Sequence, residues 1–243
     1  MSARQFRGKL CVYCRAKPAA TADHIFFRQL FLERNRGNLP QVPACQKCNN
    51  EKSKLEHYLT AVLPFGGQHP DAHEALVDLV PGRLAKNLRL HRELYAGRGR
   101  IWHVEDGVCR PAMTIPVEPE KIAELFSLIA RALAWYHLRQ YLLNDHESEA
   151  LQLTSFGSAF FDRLFSMNAA NRVHNDLGNR TVSYSGVQAV DTPQLTLWRI
   201  KLYGGIAFSG DPAAPNEVTT EIGAITGPRR LVAMLSGKVK NET

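Results

Sequence analysis

Four of the five cysteines in this chain form two pairs with the same C-x2-C spacing. Cys11 and Cys14 stand in "CVYC", and Cys45 and Cys48 stand in "CQKC". Paired cysteines at this spacing, in a chain that opens without the apolar segment of a secretory signal, favour a metal site over disulfides. Four thiolates satisfy tetrahedral Zn²⁺, and a site without an open position is structural. We therefore predict that these four cysteines hold one structural zinc ion.

The positive charge of the chain lies in the same region as the cysteine pairs. The net charge is +7, and residues 1–60 hold eleven Lys and Arg against four Asp and Glu. Residues 61–243 hold 19 basic and 19 acidic residues, so they contribute no excess. A positive field confined to one region favours a polyanionic partner, with nucleic acid first. The alternative, a basic segment without a partner, stays open.

Three motifs occur in a fixed order along this region. They are "CVYC", then Asp23-His24 in "DHI", then "CQKCNNEK", in which Asn49 follows the last cysteine directly. This order resembles the zinc-bearing branch of the HNH, or ββα-metal, endonucleases. That family shows C-x2-C, Asp-His-[Ile/Val] and C-x2-C-[His/Asn] followed by Lys. The resemblance extends from residue 11 to about residue 63.

The resemblance implies a role for four polar residues. His24 would be the general base, because a neutral imidazole with a pKa near ~6.5 suits proton abstraction at cellular pH. Asp23 and Asn49 would hold a catalytic divalent cation, and oxygen ligands of this kind suit Mg²⁺ or Mn²⁺. Asn38 would brace the turn that holds the base. The chain departs from the family pattern at two places: Phe27 stands where the family has Pro, and Asn38 lies about two residues too far from the second cysteine pair.

Basic side chains near these motifs are the candidates for phosphate contacts. They are Arg28, Lys47, Lys52 and Lys54. Phosphate contacts from Lys and Arg fix a protein on nucleic acid. A solvated helix face is the alternative explanation for Lys52 and Lys54. The predicted partner is DNA, and RNA is not excluded.

The remaining sequence predicts an α+β fold in two parts. Residues 1–65 are predicted to form a small ββα-metal, treble-clef-like zinc module, and the breaker cluster "PFGGQHP" at 64–70 marks the boundary. Residues 66–243 are predicted to form a larger mixed α+β domain for specificity, oligomerisation or partner binding. Periodicity predicts helices at 49–63, 71–80, 82–97, 118–143 and 158–177, a hairpin at 99–117, and strands at 20–26, 181–190, 194–210 and 217–225.

Other features narrow the class of protein. No apolar stretch reaches the ~18 residues that a bilayer crossing needs, so we expect a cytoplasmic protein without membrane contact, and a homo-oligomer stays open. Trp102, Trp135 and Trp198 lie in apolar patterns and are predicted to be core residues, and Cys109 is predicted to be buried. The rival to a metal-dependent DNA endonuclease is a catalytically inactive, zinc-stabilised nucleic-acid-binding protein.

Overall fold

The computed structural model describes residues 3–105, 107–208 and 218–237, and it confirms the α+β class. The helices are α1 (Gln46–Val62), α2 (Pro70–Glu74), α3 (Val80–Ala85), α4 (Leu88–Ala96), α5 (Pro119–Leu138), α6 (Ser155–Met167) and α7 (Arg229–Leu235). The strands are β1 (Thr21–His24), β2 (Gln41–Ala44), β3 (Gly99–Glu105), β4 (Val108–Thr114), β5 (His146–Gln152), β6 (Arg172–Leu177), β7 (Val182–Gln188), β8 (Thr196–Leu202) and β9 (Ile222–Pro228). Within the described ranges, no helix has both the length and the apolar character needed to cross a bilayer.

The N-terminal part is a strand–strand–helix unit. β1 and β2 pair antiparallel, with Asp23 opposite Val42 and His24 opposite Gln41. The basic connection between them contains two short 3₁₀ turns at Arg28–Leu30 and Glu33–Asn35. Cys45 is the N-cap residue of α1, so the second cysteine pair lies where β2 ends and the helix begins.

A five-stranded antiparallel sheet with the order β5-β9-β8-β7-β6 forms the centre of the remaining chain. α5 packs against β5 and β9 and also contacts α1 and β2, so it joins the sheet to the N-terminal unit. Its apolar residues recur at three- and four-residue steps, which is why one long face is buried. α6 and α7 pack elsewhere on the sheet, where Phe161, Phe165 and Val232 form a second apolar cluster with sheet residues.

The N-terminal unit and the sheet share one hydrophobic core. A single cluster of buried side chains includes Phe6, Leu59, Phe126 and Tyr203. Hydrogen bonds also cross between the two parts: the Tyr203 hydroxyl donates to the Leu30 carbonyl at 2.6 Å. The domain boundary at residues 64–70 stays a prediction, and described residues on both sides of it contribute to this one buried cluster.

The structure corrects two predicted helices. The helix predicted at 82–97 is divided, because α3 begins at Val80 and ends at Ala85, and α4 begins at Leu88. The segment 158–177 was expected to be helical throughout, yet α6 ends at Met167 and Arg172–Leu177 forms strand β6. Burial alternates along β6, which is the two-residue period of a half-buried strand. Strand β5 and helix α7 were not predicted. At the predicted hairpin, β3 and β4 pair as expected, and Asp106 of the predicted turn lies outside the described residues.

Two side chains of the β3–β4 hairpin lie at the surface, which corrects the prediction that they are buried. Trp102 is 72 % exposed and Cys109 is also exposed. Both lie in a two-stranded sheet, and an apolar sequence pattern there does not place a side chain in the core. Trp135 and Trp198 are buried, as predicted.

Candidate functional site

The four predicted zinc ligands lie together. One sulfur atom from each of Cys11, Cys14, Cys45 and Cys48 lies within 4.8 Å of the other three, and the Sγ atoms of Cys14 and Cys45 are 3.8 Å apart. Four sulfurs at ~2.3 Å from a tetrahedral zinc ion lie about 3.8 Å from one another. The cluster therefore has the size and the donor set that Zn²⁺ requires.

Local backbone structure brings the two cysteine pairs together. The first pair lies in a turn closed by the bond from the Cys11 amide to the Lys17 carbonyl, and the Val12 amide donates to the carbonyl of Pro43 in β2. Burial raises the pKa of the Cys14 thiol, but hydrogen bonds from the backbone of Ala16 and Lys17 lower it to about 7. Burial raises the pKa of Cys11 and of Cys48. The protein environment therefore favours the thiolate at Cys14, and binding of a zinc ion would deprotonate the other thiols.

Asp23 lies inside a buried polar network. Its side chain points from β1 toward α1, and the residue is only 7 % exposed. The Tyr13 hydroxyl donates to Asp23 Oδ2 at 2.5 Å, and Lys52 Nζ lies 3.1 Å from the same oxygen. Lys52 also donates to the His24 carbonyl at 2.8 Å and to Glu56 Oε1 at 2.5 Å. One ammonium group thus connects the strand, its backbone and the helix.

The predicted phosphate contact of Lys52 is wrong, because its side chain is fully buried. Burial opposes the charged form of Lys52, but the carboxylates of Asp23 and Glu56 more than offset this and raise its pKa. Burial raises the pKa of Glu56, although the neighbouring ammonium opposes that change. The ammonium of Lys52 is therefore charged and bound inside the protein, where a nucleic-acid phosphate does not reach it.

The surroundings of Asp23 do not fit a resident Mg²⁺ or Mn²⁺ ion. The ammonium of Lys52 already balances the Asp23 carboxylate at 3.1 Å, and a divalent cation beside it would repel that ammonium at short range. Asn49 uses its amide nitrogen to donate to Thr21 Oγ1 at 3.2 Å. Within the described ranges, the four cysteines are the one cluster of three or more Cys, His, Asp or Glu side chains with metal-binding geometry.

His24 lies on β1 next to Asp23, so its side chain points to the opposite face of the strand. The imidazole is half-buried, and its Nε2 lies 2.9 Å from the amide nitrogen of Gln41. Gln5 donates to the amide oxygen of Gln41 at 3.3 Å, an arrangement that turns the Gln41 nitrogen toward the ring. Burial lowers the pKa of His24. The positive charges of Arg28 and Lys52 lower it further, and the carboxylate of Asp23 opposes the change. The ring is therefore neutral near pH 7, with its lone pair on Nε2.

The remaining predicted site residues lie at the surface, outside the buried network of Asp23. Arg28, Lys47 and Lys54 are exposed, although Lys47 lies 3.8 Å from Glu51 across one helical turn. Asn38 is exposed with a positive φ of 54°, and within the described part of the chain its side chain makes no hydrogen bond to the turn around His24. The structure thus brings Asp23, Lys52 and Asn49 to the interior side of β1, and it leaves Asn38 apart from them.

Sequence reasoning missed three partners in this site: Tyr13, Gln41 and Glu56. Glu56 follows Lys52 by four residues, a spacing that favours an ion pair on a helix and was a usable signal. The positions of Tyr13 and Gln41 depend on how the Cys11–Cys14 turn and β2 pack against β1, and no local sequence pattern encodes that packing.

Comparisons of this chain with models of protein families, with curated proteins and with solved structures return no match.

Proposed function

We propose that the protein is an HNH-type endonuclease that hydrolyses phosphodiester bonds of DNA, with His24 as the general base. The observation that carries the proposal is the strand–strand–helix unit at a four-cysteine cluster, which holds His24 on the face of β1 that points away from the helix. The three linked sequence motifs support the same assignment.

The state of His24 suits proton abstraction. Its lowered pKa keeps the ring neutral, and the Gln41 amide donates to Nε2, so the proton of the ring is on Nδ1. A water molecule that replaces the Gln41 amide would meet the lone pair of Nε2 at hydrogen-bonding distance. We therefore propose that His24 activates the attacking water. Gln41 would hold the imidazole of His24 in this tautomer until that water binds.

The exposed basic residues of the unit support binding of a polyanion. Arg28 and Lys54 are exposed and form no ion pair with another residue in the ranges that the structure describes. Long basic side chains that extend into solvent are the groups that contact phosphates without reading sequence. We propose that these residues, with Lys47, contact the DNA backbone.

A non-catalytic, zinc-stabilised nucleic-acid-binding protein is the second candidate function. The observation that favours it is the buried network of Asp23, Tyr13 and Lys52, which leaves Asp23 without a free position for a divalent cation. A binding protein needs the zinc-held scaffold and the basic surface, and it does not need an accessible carboxylate.

Nicking of supercoiled plasmid separates the two candidates. The zinc-loaded protein is assayed with added Mg²⁺, with added Mn²⁺ and without either ion, and His24→Ala is compared with His57→Ala, which changes an exposed histidine on α1. The endonuclease proposal predicts nicking by the native chain and by His57→Ala, and its loss in His24→Ala with DNA retention unchanged. Equal nicking by His24→Ala and the native chain would remove His24 from the reaction. DNA retention without nicking by any variant would establish the binding protein instead.

The salt dependence of binding tests the phosphate contacts. Counterion release predicts that the logarithm of the DNA association constant falls linearly as the logarithm of salt concentration rises. Lys54→Ala should reduce the slope by about one, because it removes one phosphate contact. Titration of a labelled DNA by fluorescence anisotropy at several salt concentrations measures this slope, and an unchanged slope in Lys54→Ala would exclude that contact.

A further inference from the structure

The β3–β4 hairpin has an outward face that the proposed function leaves unused. Ile101, Ala112, Met113 and Thr114 line a cavity of about 830 Å³ between the hairpin and the rest of the molecule. Arg100, Trp102 and Pro111 do not line that cavity. Trp102 pairs across the strands with Pro111, and Arg100 lies two residues before Trp102 on the same strand.

Exposed basic groups lie on this hairpin and just before it in the chain. Arg98 donates to the Tyr95 carbonyl at 2.6 Å. The guanidinium carbon of Arg98 lies 3.3 Å from the ring centroid of Tyr95, at the end of α4, and this pair is exposed. The side chain of Arg100 makes no hydrogen bond or ion pair with any residue in 3–105, 107–208 or 218–237. Residues 83–110 hold seven Lys and Arg against three Asp and Glu. The hairpin thus lies in a second basic segment of the chain.

The exposed aromatic ring on this face is uncommon for a soluble protein surface. Trp102 is 72 % exposed, whereas Trp135 is 3 % exposed and Trp198 is fully buried. A flat ring beside a free guanidinium group is the combination that binds single-stranded nucleic acid, because a base stacks on the ring and the cation contacts the adjacent phosphate. The net positive charge of residues 83–110, which include Arg100 on the same strand as the ring, favours such a polyanion over an apolar protein partner.

We propose that Tyr95, Arg98, Arg100 and Trp102, which we call the hairpin surface, bind single-stranded nucleic acid by stacking a base on Trp102. Arg100 contacts the adjacent phosphate, and the Arg98–Tyr95 pair presents a second fixed cation. This surface lies in a different part of the chain from His24, and it serves a nuclease or a binding protein equally. The binding test of the hairpin surface can therefore fail while the nicking assay succeeds, and the reverse can also occur.

Tryptophan fluorescence tests the stacking directly, because Trp102 is the one exposed tryptophan of three. The full-length protein is titrated with a short oligodeoxythymidine and, in parallel, with a duplex of the same length, without added divalent cation. Fluorescence anisotropy of the labelled oligonucleotide then gives the affinity of each variant. Phe156→Ala on α6 is the matched control for Trp102→Ala, and Arg163→Ala on α6 is the control for Arg100→Ala, because each removes an exposed side chain of the same kind far along the chain.

The proposal predicts quenching of the native protein by the single strand and a loss of affinity of roughly tenfold or more in Trp102→Ala. Trp102→Phe keeps an aromatic ring and should bind within about threefold of the native protein. Arg100→Ala should bind more weakly with a smaller salt slope, and both α6 controls should bind like the native protein. The proposal is overturned by an absence of quenching, by equal affinity of Trp102→Ala and Phe156→Ala, or by a duplex that binds with the same dependence on Trp102.

Discussion

Lys52 is the residue whose position differs most from the prediction, because its ammonium group is buried. Lys52 lies on a helix among other polar residues, where a lysine ordinarily extends into solvent. Its burial follows from the packing of α1 against β1, which directs the side chain at the Asp23 carboxylate and the His24 carbonyl. The presence of the Asp-His pair, the cysteines and the helix could be predicted from their spacing. The direction of Lys52 could not, because it depends on which helix face meets the strand.

Replacement of Lys52 should destabilise the protein strongly. Lys52→Met removes the ammonium and leaves the carboxylates of Asp23 and Glu56 without their cation, and breaking a buried ion pair in this way costs about 3–5 kcal/mol. Lys54→Met is the matched control, because Lys54 is exposed, and surface changes of this kind stay within about 0.5 kcal/mol. Denaturant unfolding of the zinc-loaded variants measures both. Equal stability of the two variants would contradict the network.

The Tyr13 hydroxyl should also stabilise the protein through Asp23. Burial and the nearby Asp23 carboxylate raise the pKa of Tyr13 well above its usual value, so the hydroxyl keeps its proton and donates. Tyr13→Phe removes one hydrogen bond to a charged acceptor, and we expect a loss of about 1.5–3 kcal/mol in the free energy of unfolding. Tyr95→Phe, which changes an exposed hydroxyl, should leave stability unchanged. An unchanged free energy of unfolding in Tyr13→Phe would show that Asp23 does not depend on this donor.

Elements with a strong period could be predicted, and elements defined by distant partners could not. The apolar spacing of α1 and α5 predicted both helices from the sequence. α5 begins within one residue of the predicted start but ends at Leu138, five residues before the predicted end. β5 and α7 were missed because each is defined by its neighbours: β5 pairs with β9, and α7 packs on both strands. β6 was assigned to a helix because its apolar residues continue the pattern of α6 across the turn at Asn168–Asn171.

Packing between β7 and β8 depends on a glycine. Gly186 lies directly opposite Trp198, and a Cβ atom added to Gly186 would overlap the indole ring. Trp198 cannot move without loss, because its Nε1 donates to Thr196 Oγ1 at 2.7 Å in the core. We expect Gly186→Ala to cost about 1–3 kcal/mol, as overpacked cores do. Gly37→Ala is the control, since nothing lies near its added Cβ. Thermal unfolding compares the two, and equal melting temperatures would mean that the ring has room.

At the scale of the whole molecule, the sequence predicted the class and the zinc cluster better than the arrangement of the parts. Spacing and charge identify an N-terminal unit, but they do not show that it shares a core with the sheet. Arg131 on α5 illustrates the reason: it donates to the Tyr13 carbonyl from 118 residues away along the chain. Contacts at such separation arise from tertiary packing, which periodicity does not report.

A shared core predicts that zinc release and sheet unfolding occur together. Denaturant unfolding should give one transition when zinc release is followed with a chelating dye and the sheet is followed by circular dichroism, because the cluster around Phe6, Leu59 and Phe126 joins the two parts. A zinc-release transition that precedes loss of the sheet would mean that the N-terminal unit unfolds alone.

In the proposed scaffold, a single tetrahedral metal ion fastens the Cys11–Cys14 turn to the start of α1. Quantitative metal analysis of the purified native chain, beside Cys11→Ser and Cys45→Ser, tests this most directly. We predict one zinc ion per native chain and its loss in both variants. A native chain that is folded, free of zinc and reactive at all four thiols would contradict the zinc-held scaffold and with it the assignment of His24.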